Sequence, residues 1–259
     1  MTPGVSAAAA LDSQRDHDHA VLSGQISWKR LFYVAMASII ILTAFIGFAP
    51  SFYLRSIYNP SRSLSTILRV HGLFFSAWMI LFLVQTVLIV RGSRSLHRRL
   101  GWAATGIAAV MVALGIAASI EQMRRVPATI APQVGLALNT FPIAVFVILV
   151  GSALYYRGRS DWHKRLILSA TISLLGAAIL RIIVPHAGGL KPPEVFILAS
   201  VIVDLFFVPC FVYDWRTRHK IHPAYFCTLT LLIVSQISIV TVIQWPPWIR
   251  LAHTLQQYV

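Results

Sequence analysis

The 259 residues are 57% hydrophobic and 12% charged, and 22 Lys and Arg outnumber 8 Asp and Glu for a formal net charge of +14. A soluble domain carries about 25% charged residues, so a composition this apolar excludes an ordinary soluble fold. The cations stand in short clusters between long apolar runs, which sets nucleic-acid binding aside and points to charge that orients a chain in a membrane.

A helix that crosses a bilayer takes about 20 mainly apolar residues. Seven runs reach that length: 31–50, 66–90, 101–120, 134–156, 166–184, 195–213 and 224–245. The predicted fold is an all-α integral membrane bundle of seven transmembrane helices with an internal duplicated helical hairpin, in which spans four and five repeat the layout of spans two and three. Residues 1–28 read as a disordered cytoplasmic tail, 29–248 as the membrane domain and 249–259 as a short extracytoplasmic tail. With the N-terminus inside, fourteen Lys and Arg fall on the cytoplasmic side and seven on the other, leaving Arg181 within the fifth run. That bias predicts an N-terminus in the cytoplasm and a C-terminus outside.

In chain order, the tail is Ala-, Ser-, Asp- and Gln-rich without periodicity, and its Asp16-His17-Asp18-His19 stretch reads as solvated rather than as a metal site. Span one ends at Pro50, and the connection to span two carries Tyr53, Tyr58, Asn59 and Pro60 at interface depth. Span two opens with Arg69-Val70-His71-Gly72, which places His71 roughly 5–10 Å below the outer surface. Span three leaves a basic turn through His97 and Trp102, and its many Gly and Ala residues predict a central position where helices approach closely.

Span four carries Asn139 and Pro142 in its outer third. Span five runs from His163 to Arg181, ahead of Pro185-His186. Span six has Asp204 near mid-depth and Pro209 as a predicted kink. Cys210 and Cys227, at the cytoplasmic ends of spans six and seven, read as small packing residues. Residues 249–259 read as a short amphipathic helix on the outer surface, with Ile249, Leu251, Ala252 and Leu255 as its apolar side.

Ionisable groups inside a bilayer cost roughly 2.5 kcal/mol or more, which makes them site candidates by default. His71, Arg181 and Asp204 stand out, joined by Asn139 at similar depth. Together they outline an outward-facing pocket for a small ligand or ion, in which Arg181 and Asp204 form a pair that is either functional or structural. The histidines also permit a b-type haem, which needs two imidazoles from different helices at one depth. Two such pairs match by depth: His97 with His163 on the cytoplasmic side, and His71 with His186 on the outer side. Nearby arginines would suit haem propionates. A third reading is a structural or assembly partner of another membrane protein. No Gly-rich phosphate loop, paired-Cys metal spacing, HExxH or nucleophile elbow occurs in the sequence, so no catalytic residues or enzyme class are assigned.

The stretches Leu96–Trp102 and His163–Arg181, the latter including Ser169-Ala170-Thr171, are similar to the motifs of a bacterial family of polytopic membrane proteins of unknown function. Its first hairpin carries a His-Arg-x-Leu-Gly entrance, and a later span opens with His-Arg-Arg and runs to an arginine. Leu166-Ile167 stands where the family pattern has Trp-Met. The resemblance covers about residues 64–215. It implies a helical membrane fold and a bacterial plasma-membrane location, and it implies no activity.

Overall fold

The computed structural model describes residues 28–58, 63–123 and 131–257. The tail 1–27, with its Asp-His stretch, lies outside them. Every regular element among the described residues is helical. Seven helical segments are long and apolar enough to cross a membrane: Leu31–Tyr53, Thr66–Val90, Arg94–Met123, Pro132–Gly158, Ser160–His186, Pro192–Arg218 and Pro223–Val242. These are spans one to seven. Their outward faces carry large apolar side chains such as Leu42, Ile80, Ile148, Val201 and Ile237, which suit lipid tails and would be intolerable in water.

Spans three, five and six begin earlier than the apolar runs that announce them. Arg94–Arg99 and Ser160–Arg165 are already helical, so both histidines sit on the first turns of rigid helices. Between spans two and three the turn is tight, and Gly92 adopts φ +75°, a conformation that costs glycine nothing. Spans two with three, and four with five, pack as two hairpins along their length.

Span five, rather than span three, is the enclosed helix. Half of its apolar window is buried, against 22–33% for the other spans. Small residues permit close approach without compelling it. In span three, Gly106 has nothing near the place a Cβ would occupy, and Trp102, Val110 and Ile116 face outward. Span five instead buries consecutive residues from Leu168 to Ser173, as a helix covered on all sides must.

Two spans are interrupted at mid-depth. In span six the helices Pro192–Leu205 and Phe207–Arg218 meet at Phe206. Pro209 has no N–H for the Leu205 carbonyl and its ring crowds that carbonyl, so the break falls where the predicted kink requires. In span five the ladder tightens at Leu174 and Leu175, whose N–H groups donate to carbonyls three residues back, at Thr171 and Ile172.

The last helix, Pro246–Gln257, is amphipathic as predicted. It docks instead of lying free: Ala252 is fully buried in a small cluster with Met123 and Leu136, and the Trp248 indole donates to the Gln133 carbonyl at 3.0 Å. Leu251 remains exposed. Cys210 is buried as a packing residue, whereas Cys227 is exposed on the outer face of span seven.

Candidate functional site

The polar side chains gather at two levels, and the basic end of the bundle is the better organised. There the first turns of spans three and five face each other. The rings of His97 and His163 lie 6.5 Å apart between centroids, with their planes at 86°. Spans three and five share no extended packing face, so these rings reach towards each other across the bundle.

Each histidine is held by a neighbour from the preceding span. The His163 Nδ1 meets the Ala153 carbonyl at 2.9 Å. A carbonyl only accepts, so Nδ1 carries the proton and the Nε2 lone pair is left free. This is the arrangement by which metal-binding imidazoles are oriented and made more basic. Next to His97, the Gln85 amide donates to the His97 backbone carbonyl at 3.2 Å and ties spans two and three together. The His97 Nδ1 is buried without a partner. Neither Nε2 makes a hydrogen bond, and neither is among the buried unpartnered atoms, so both are open to a ligand.

Among the described residues no group of three or more His, Cys, Asp or Glu comes together. Two imidazoles alone are a poor site for zinc, which takes three or four protein ligands. A haem iron, which needs only two protein ligands, is a centre that such a pair could hold. Two imidazole nitrogens each about 2 Å from a metal, with about 1 Å more to each ring centre, separate the centroids by about 6 Å. The 6.5 Å observed fits that spacing. Arg98 and Arg99 follow His97 at the start of span three and are exposed.

Around Arg165, two residues after His163, lies a cluster that the sequence reading missed. Arg165 and Asp214 are fully buried and form a bidentate ion pair between spans five and six. The Arg165 Nη1 also donates to the Asp161 carbonyl at 2.8 Å, and the guanidinium lies 5.6 Å from the centroid of the Tyr225 ring. Asp214 accepts the His222 backbone N–H at 3.0 Å, tying in the start of span seven.

His222 caps that span: its Nδ1 accepts from the Ala224 N–H at 3.2 Å. With Nδ1 accepting, the proton sits on Nε2, which donates to Asp161 at 3.2 Å. Burial, and after it the Arg165 charge, hold the His222 pKa below the usual value despite the Asp161 carboxylate. Beside the pair, Lys164 stands 5.2 Å from the Tyr33 ring centroid. The Tyr33 and Tyr225 hydroxyls are buried without a well-formed hydrogen bond. Charge counting explained Arg165 as topology. The signal that could have singled it out was scarcity: with 8 acids in the chain, an Asp at a span end is a prime partner for a cation at the same depth.

At the opposite level Asp204 and Asn139 turn away from the other residues of the predicted pocket. Arg181 does not pair with Asp204. Asp204 accepts from Gln236 of span seven at 3.1 Å, while Arg181 lies 4.4 Å over the Phe48 ring of span one and donates to its own Ala177 carbonyl. Asn139 spends its amide on the Gly135 carbonyl, one turn back at 2.7 Å. His71 packs against span three, with Cε1 4.0 Å from where a Cβ on Gly115 would stand. His186 is exposed at the end of span five, with Nδ1 on the Ile182 carbonyl, and makes no ring contact with His71.

Comparison with protein-family models, with curated proteins and with solved structures finds no match for this chain.

Proposed function

We propose that this polytopic membrane protein holds a b-type haem between His97 and His163 and acts as an electron-transfer subunit. The observation that carries the reading is the pair itself: two imidazoles from separate spans, at the spacing a shared iron needs, one with its tautomer fixed so that Nε2 is the ligand atom. When bound, the haem would supply reversible one-electron chemistry. The chain's residues supply the rest. Ala153 orients His163, Gln85 fixes the start of the His97 helix, and Arg98 and Arg99 offer charge-assisted bonds to propionates. The Arg165–Asp214 pair pins spans five and six just below, so that His163 is presented by a rigid support.

The excess of Lys and Arg at this end supports a cytoplasmic location for the pair, with the N-terminus inside and the C-terminus outside. A subunit of this kind requires a redox partner, which would meet it at the basic face. The four-residue ligand pocket has less support, because Asn139 and Asp204 bond elsewhere.

The test is the visible spectrum of protein purified in detergent after expression with ample haem supply. A Soret band and a sharpened α band on reduction are expected in the wild type. Both should vanish in His97→Ala and in His163→Ala, while the protein still accumulates and keeps its helical circular dichroism. A colourless wild type, or a spectrum that survives both substitutions, overturns the proposal. A pure assembly partner would give the colourless result.

A further inference from the structure

We infer that the end of the bundle opposite the histidine pair holds an oxyanion, a carboxylate or phosphate group, between Arg181 and His71. The inference stands apart from the haem reading and rests on different residues.

Arg181 carries its charge in the outer half of span five. A cation inside a span is costly and is ordinarily paired. Among the described residues no ion pair involves Arg181. Asp204 is turned to Gln236, and Glu194 caps its own helix by accepting the Lys191 N–H. Of the five donors on a guanidinium, one is spent on Ala177. The nitrogens that remain are not among the buried unpartnered atoms, so they are open to a ligand.

The surroundings hold the guanidinium in place. Gly47 lets span one cross span five at contact distance, since a Cβ there would stand 2.4 Å from the Ala178 carbonyl oxygen. That crossing seats Phe48 under Arg181, and Phe48 in turn packs on Phe75 of span two at 5.7 Å. His71 stands one helical turn before Phe75 on the same face of span two, so the Phe75–Phe48 contact brings it to the side on which Arg181 lies. The His71 Nδ1 is buried with no partner, which is unfavourable for a polar atom left unpaired. A planar fork, an unspent imidazole nitrogen and an aromatic floor form a site for an oxyanion. That group could come from a lipid headgroup or from a free small anion.

Thermal unfolding of the purified protein, followed by tryptophan fluorescence, separates the outcomes. The probes are inorganic phosphate, acetate, a short-chain phosphatidic acid, and a phosphatidylcholine of equal chain length. At a hundredfold excess over Kd a bound anion should raise Tm by about 5–10 °C. Arg181→Gln should abolish that rise, Arg181→Lys and His71→Leu should weaken it, and His97→Ala should leave it intact. A rise with phosphatidic acid alone assigns the group to lipid, and a rise with phosphate or acetate as well assigns it to a free anion. No rise with any probe, or a rise undiminished in Arg181→Gln, overturns the inference. If Arg181→Gln fails to accumulate, an undiminished rise in His71→Leu overturns it equally.

Discussion

Asp214→Asn isolates the electrostatic centre of the bundle. The substitution keeps the side chain's shape, and its remaining oxygen can still accept the His222 N–H. It removes the negative charge from a guanidinium that is 1% exposed. Breaking a buried pair by removing one partner costs about 3–5 kcal/mol, because the surviving charge stays buried. At about 2–4 °C per kcal/mol for a chain of this size, Tm should fall by about 6–20 °C. Arg165→Met combined with Asp214→Leu removes both charges. That double variant should recover most of the loss and remain below wild type only by the orphaned His222 N–H, about 1–3 kcal/mol. Tryptophan fluorescence melts in detergent follow all three proteins, aided by the 7 tryptophans. A single variant within about 2 °C of wild type, or a double variant no more stable than the single one, would refute the view that this pair joins spans five, six and seven.

Two further outcomes follow from the geometry. Gly47→Ala places a methyl group 2.4 Å from a backbone oxygen of span five and should destabilise the protein by about 1–3 kcal/mol or more, whereas Gly151→Ala meets nothing within 4 Å and should be neutral. Melting curves of the two variants side by side check this; equal Tm values would contradict the close crossing. His222 has a folded pKa below its ordinary value of about 6.5. The unfolded chain therefore binds that proton first, so the contribution of His222 is complete above about pH 6.5 and is lost as pH falls towards the depressed folded value. Tm measured between pH 7.5 and 5 should drop on acidification, and His222→Asn, which can still cap the helix, should flatten that drop. An unchanged slope in the variant would show that His222 is not the group responsible.

The spans were legible because lipid imposes a length and a polarity that no surface helix shares. Depth was legible for the same reason. Of the two histidine pairs matched by depth, His97 and His163 come within ring contact and His71 and His186 do not. Rotation about the helix axis was not legible. A helix that is apolar on every side carries almost no amphipathic signal, so nothing in the sequence showed that Asp204 turns to Gln236 and Arg181 to Phe48. The helix starts at Arg94 and Ser160 were hidden because hydropathy sees only the part of a helix inside the lipid. The buried role of Arg165 was hidden by a simpler explanation, since the charge bias between the two sides already accounted for it.

The central claim is that His97 and His163 share one iron. Titrating haem into protein purified without it, and following the Soret absorbance, tests it most directly. The wild type should saturate at one haem per chain, with both His97→Ala and His163→Ala abolishing tight binding while leaving Tm in the absence of haem nearly unchanged. Saturation at the same stoichiometry and affinity in either variant, or no binding by the wild type, would contradict it.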